Sequence, residues 1–129
     1  MMDSVAETTG AEVLAQLDPA PLDMIRAIGD GSDALLAQVI DLFVESGAPL
    51  VQQVRAGLRA NDTALVRTAA HTLKSSSANL GGTRLAEICL KLEVAARTGN
   101  LSGALPTADD VEAEYKAVCK ALSALVRKS

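Results

Sequence analysis

Apolar residues return every three or four positions along most of the chain, the spacing that lines one face of an α-helix. Asp18-Pro19 opens the first such stretch, with an acceptor side chain at the cap and proline where a helix needs no amide donor; Gly29 closes it. This predicts a short helix over residues 19–28. The stripe Leu36, Ile40, Phe43, Leu50, Val54 and Leu58 predicts a second helix, capped by Ser32 and ending near Ala60. Pro49 inside it removes one helical hydrogen bond and crowds the carbonyl of Glu45. A kink is therefore expected around Glu45 to Ala48, eased by Gly47, with a complete break as the alternative.

Asn61-Asp62 makes a tight link and a cap for a third helix from about Thr63 to Leu80, which Gly81-Gly82 ends. So short a connection implies antiparallel neighbours. Thr83 is placed to cap a fourth helix carrying Leu85, Ile88, Cys89, Leu92 and Ala96, stopped by Gly99-Asn100. The last helix is clearest from Ala108 to Arg127, with Val111, Tyr115, Val118, Leu122 and Leu125 on one face. It begins either near Ser102, with Pro106 in its first turn, or at Thr107 as cap, with Asp109 and Asp110 complementing the dipole.

No strand pattern, internal repeat or low-complexity tract competes. Four long amphipathic helices with links of roughly two to four residues predict an all-α fold over residues 18–129. Its expected form is an antiparallel up-down-up-down four-helix bundle with a short additional N-terminal helix. Residues 1–17 read as a polar leader or linker, in which Val13, Leu14 and Leu17 can make a short helical turn against the body.

Composition narrows this further. A chain of 129 residues fits one domain, and an aromatic share of only 2% obliges the core to be built from Ala, Leu, Val and Ile. The net charge of −4 argues against a nucleic-acid partner, which needs a basic face. The longest apolar stretch, Ala34 to Val44, is interrupted by Gln38 and Asp41, so no membrane span is expected. The acidic, polar start lacks the order of a signal peptide, and a cytoplasmic location is expected. Cys89 and Cys119 fall on the apolar stripes of two helices and read as free buried thiols. With a single histidine they form no recognisable ligand set, so no metal is expected.

That histidine carries the candidate chemistry. On the third helix Leu65, Ala69, Leu73 and Leu80 cluster on one side, while His71 lies opposite, flanked by Arg67, Lys74, Ser75 and Ala78. The imidazole should face outward, and histidine is the side chain that offers a neutral, nucleophilic nitrogen near neutral pH. Lys74 sets an ammonium one turn away, a counter-charge for a phosphoryl group. Ser75 and Ala78 are short side chains on the same stripe, so a second protein with a recessed active site can approach the ring. Ser76 and Ser77 lie towards the core, where hydroxyls can bond back to carbonyls one turn earlier. A solitary surface histidine is also what an ordinary solvated residue looks like.

At His71-Thr72-Leu73-Lys74-Ser75-Ser76-Ser77 the chain resembles the histidine-containing phosphotransfer (HPt) domains of bacterial and plant phosphorelays, whose hallmark is His-x-Leu-Lys-Gly-Ser and a small residue. The resemblance extends to Asn79-Leu80-Gly81 and to Leu85 through Glu93, and covers roughly residues 18 to 127. Ser75 stands where glycine is usual and is still small enough for close approach. The resemblance implies that His71 accepts a phosphoryl group from a receiver-domain aspartyl phosphate and passes it to another receiver aspartate. Lys74 would neutralise phosphoryl charge and Arg67 would act as a weaker second cation, unless either is simply a solvated surface cation. Glu93 matches a position where many such domains carry Glu or Gln, and would orient the ring; the alternative is a solvated glutamate beside Leu92.

Docking is expected to use apolar surface from the helix containing Phe43 and Val44. The implied partners are response-regulator receiver domains and a hybrid histidine kinase, with a monomer docking transiently. No cofactor is expected in this chain, and the receiver would bring the Mg²⁺. The chain is not read as an enzyme of the kinase kind, since no glycine-rich loop follows a strand. A non-catalytic helical adaptor that binds a receiver or kinase is the rival reading. An excised C-terminal domain of a hybrid sensor kinase is a third, in which the parent would be the histidine kinase.

Overall fold

Among the described residues, 15–126, five helices account for the periodic segments in a computed structural model. They are α1 (Pro19–Ile28), α2 (Ala34–Ala60), α3 (Thr63–Asn79), α4 (Thr83–Thr98) and α5 (Thr107–Val126). The cap chemistry explains several boundaries. Asp18 accepts the Ala20 amide at 3.1 Å, and Asp62 accepts the Leu65 amide at 3.1 Å after Asn61 turns the chain at φ 55°. Ser32 does not occupy the cap of α2; Asp33 does, and its carboxylate is engaged by Arg26 Nε at 2.9 Å. The Ser32 hydroxyl still accepts the Ala34 amide at 3.3 Å. Thr83 is the first residue of α4 rather than its cap, a place taken by Gly82. Likewise Thr107 opens α5, so the link before it runs over residues 99–106, longer than expected, with Leu101 buried inside it.

α2 passes through Pro49 without the complete break that was the alternative to a kink. Phe43 before the proline and Val51 and Val54 after it are buried in the same core, so packing on both sides outweighs one missing amide donor. Gly47 serves packing at this level: a side-chain carbon there would run into the ring of Tyr115. Tyr115 packs against Phe43 with ring centroids 5.5 Å apart, and its hydroxyl donates to the Val44 carbonyl at 2.6 Å.

The four long helices touch in cyclic order, α2 against α3 and α5, and α4 against α3 and α5, while α1 lies over α2 and α3. This is the antiparallel bundle with one extra N-terminal helix. Leu36, Val54, Val66, Leu73, Leu85, Val111, Val118 and Leu122 fill its centre. The buried face of α3 is centred on Val66, Ala69, Ala70, Leu73 and Ser77, with Leu65 only half-buried. The Ser77 hydroxyl donates to the Leu73 carbonyl at 2.6 Å, the back-bonding expected of a core-facing serine. Upstream of α1, Ala15 and Leu17 rest half-buried on the core, whereas Val13 and Leu14 lie outside the described residues, as does Arg127.

With 27 residues, α2 is long and apolar enough by length and composition to cross a membrane, despite its interrupted apolar run. In the bundle Leu36, Ile40, Phe43, Val51, Val54 and Leu58 of that helix are core residues.

Both cysteines are free, Cys89 buried and Cys119 only half-buried. Burial, aided by the negative charge of Glu93, pushes the Cys89 thiol up to about 12. Cys89 is therefore expected to resist iodoacetamide at about pH 8 until the bundle opens. Peptide mapping should show the Cys89 adduct after labelling in urea and none after labelling of the native protein over the same interval; equal labelling would contradict this packing.

Candidate functional site

α3 turns its large side chains inward, which leaves Arg67, His71, Ser75 and Ala78 along its exposed stripe. The His71 side chain is 59% exposed. Lys74 is half-buried at the seam with α4. Across that seam Glu93 follows Leu92 inward on α4, and its side chain is only 8% exposed. The ring and the two charged side chains meet there. His71 Nδ1 stands 2.9 Å from Glu93 Oε2, and the Lys74 ammonium donates to Glu93 Oε1 at 2.7 Å. Arg97, one turn along α4, approaches Oε2 at 3.6 Å.

These contacts decide the state of the ring. The Lys74 hydrogen bond is the main influence holding the Glu93 carboxyl below its ordinary range; burial opposes it and the bond from His71 adds to it. An ionised carboxylate only accepts hydrogen bonds, so Nδ1 must carry the proton and donate it. The lone pair of the neutral ring is then on Nε2, on the side away from Glu93. A shallow recess beside the ring is lined by Arg67, Thr68, Thr72 and Glu93, with the Thr72 hydroxyl turned back onto the Thr68 carbonyl at 3.1 Å. An exposed nucleophilic nitrogen beside cations is suited to accepting an anionic electrophile.

His71, Lys74 and Glu93 are thus in direct contact, Arg67 lines the recess, and Ser75 and Ala78 continue the exposed stripe as small residues. Glu93 is not a solvated glutamate. Lys74 is neither free nor simply solvated, because it is bonded to Glu93. Arg97 escaped the sequence reading, although its spacing of four from Glu93 is that of a helical ion pair. Phe43 is buried; the apolar surface α2 exposes comes from Leu42 and, less, from Val44. A groove lined in part by Leu42, Ser46, Ser76 and Asn79 follows the α2–α3 seam.

The sequence profile of the Hpt domain matches residues 38–125, from α2 through His71 and Glu93 into α5. The chain belongs to the Hpt domain family. This Hpt domain is 27% identical over 105 residues to histidine-containing phosphotransfer protein 2 of Arabidopsis thaliana, covering 79% of this chain and 67% of that protein. Histidine-containing phosphotransfer protein 5 of the same plant is 27% identical over 90 residues, covering 67% of this chain and 57% of the relative, so the chain spans less than two thirds of that protein. Histidine-containing phosphotransfer protein B (HptB) from Pseudomonas aeruginosa PAO1 has the same helical bundle, with a TM-score of 0.78 at 27% identity, covering 88% of this chain and 96% of that one. Membership gives this Hpt domain a phosphotransfer role in two-component signalling.

Proposed function

We propose that Nε2 of His71 takes a phosphoryl group from the aspartyl phosphate of one receiver domain and delivers it reversibly to the aspartate of another. The observation that carries this reading is the contact of His71 Nδ1 with buried Glu93, which leaves Nε2 as the ring's lone-pair nitrogen on an exposed side chain. Phosphoryl transfer asks mainly for alignment and charge neutralisation. In this reading the rigid α3 supplies alignment, while Lys74 and Arg67 supply positive charge. The receiver brings the Mg²⁺ and its acidic pocket, and this chain needs no cofactor of its own. Ser75 and Ala78 leave room for the partner's rim, and Leu42 and Val44 offer it apolar contact.

The partners are then receiver domains and a hybrid histidine kinase, met in the cytoplasm by a monomer that docks transiently. The test mixes wild type and His71→Gln with phosphorylated receivers and follows intact mass and the acid lability of acquired phosphate. Acid-labile phosphate on the wild type and none on His71→Gln is the expected result. Binding without transfer across a broad receiver panel would overturn the relay reading and favour a non-catalytic adaptor.

A further inference from the structure

The transfer just described leaves the fate of one proton open. Attack by Nε2 forms the N–P bond and breaks the P–O bond to the receiver's aspartate, whose carboxylate departs with the electron pair. The ring still holds its Nδ1 proton and becomes cationic. A phosphorylated ring that lost this proton would be a poor donor, because its leaving group would be an imidazolate anion. On the way back, the N–P pair returns to Nε2 and a receiver aspartate oxygen forms the new P–O bond. That return needs the proton on Nδ1.

Nδ1 meets Glu93 Oε2 at 2.9 Å, on a carboxylate side chain only 8% exposed. Resting on the relay reading, we propose that Glu93 retains the Nδ1 proton on phosphorylated His71, so the phosphoryl group is taken up and given back with no net gain or loss of a proton by the ring. Glu93 is then a positioning residue whose charge matters as well as its hydrogen bond, since an opposite charge at this range favours the cationic ring.

The surrounding charges fit this assignment. From α3, Lys74 holds Oε1 at 2.7 Å and Arg67 lines the same recess. From α4, Arg97 stands 3.6 Å from Oε2, and the buried Cys89 thiol stays neutral. Several charged groups of α5 are engaged elsewhere, Glu114 with Arg84, Asp109 and Glu112 with Arg55 of α2, and Lys116 with Glu112. An arriving phosphoryl group offers Lys74 a competing anion. Any movement of Lys74 towards it leaves more of the Glu93 charge to the ring.

His71 is the only histidine, so the ring signals of ¹⁵N-histidine-labelled protein report on one residue. The full chain would be loaded with potassium phosphoramidate and its Nδ1 and Nε2 shifts followed against pH. Folded wild type is expected to keep Nδ1 protonated to about one pH unit higher than Glu93→Gln, a tenfold difference in proton affinity. It should exceed the same phosphoprotein unfolded in urea by a similar margin, a comparison that needs no variant. Glu93→Gln, which keeps an acceptor and loses the charge, should also hydrolyse its phosphohistidine about tenfold more slowly at about pH 8. Coincident titrations of folded and unfolded phosphoprotein, or phosphate on Nδ1, would overturn the proposal. Phosphoramidate loading involves no receiver, so failed transfer from receivers would instead overturn the relay reading and leave the ring titration legible.

Discussion

Glu93→Ala is expected to slow phosphoryl transfer from a phosphorylated receiver to His71 by about 10- to 100-fold, the scale on which removing a carboxylate that orients a metal-bound histidine is felt. Alanine removes the acceptor that holds Nδ1, the only one within hydrogen-bond reach among the described residues. The ring can then turn about its side-chain bonds and take either tautomer, and in one of them Nε2 carries the proton and has no lone pair to attack with. Lys74 loses its 2.7 Å partner at the same stroke and is drawn towards water. Both effects act on alignment and leave the nucleophile present, so Glu93→Ala should retain slow transfer where His71→Gln retains none. Single-turnover kinetics, with circular dichroism to verify the fold, would measure the loss. A rate within about twofold of wild type would show that orientation by Glu93 contributes little.

Gly81→Ala is expected to remove about 2–4 kcal/mol of stability, the largest single-site effect foreseen outside the site. Gly81 sits between α3 and α4 at φ +82°, where a side-chain carbon is strained by its own backbone. An added carbon would also run into the backbone of Asp18, the residue that starts α1. That segment cannot retreat cheaply, because the Asp18 amide donates to the Gly81 carbonyl at 2.8 Å. Gly99 separates the two causes. It has φ +81° with nothing within 4 Å of an added carbon, so Gly99→Ala should cost only the conformational part, about 1–2 kcal/mol. Urea midpoints at unchanged slope would measure both, and equal losses would remove the Asp18 contact from the explanation.

Much of this domain is legible in the sequence alone. Asp18-Pro19, Asn61-Asp62, Gly81-Gly82 and Gly99 mark helix ends through chemistry confined to a few neighbouring residues, and the described helices begin or end at each of them. The direction of His71 was legible for the same reason, since 3.6 residues per turn sets it opposite Leu73 whatever the neighbours do. Pro49 went the other way. Local rules left a kink and a complete break both open, and burial of Phe43, Val51 and Val54 in one core keeps the helix continuous.

The amino-acid sequence by itself determined the helices, their apolar faces and the outward nucleophile, because each follows from periodicity and capping within a turn or two of chain. Only the tertiary structure decided the state of that nucleophile. Glu93 and Arg97 belong to a different helix from His71 and Lys74, and which of their atoms meet depends on how α3 and α4 pack. A carboxylate moved from water to 2.9 Å from Nδ1 assigns the ring proton, and nothing local to His71 could have assigned it.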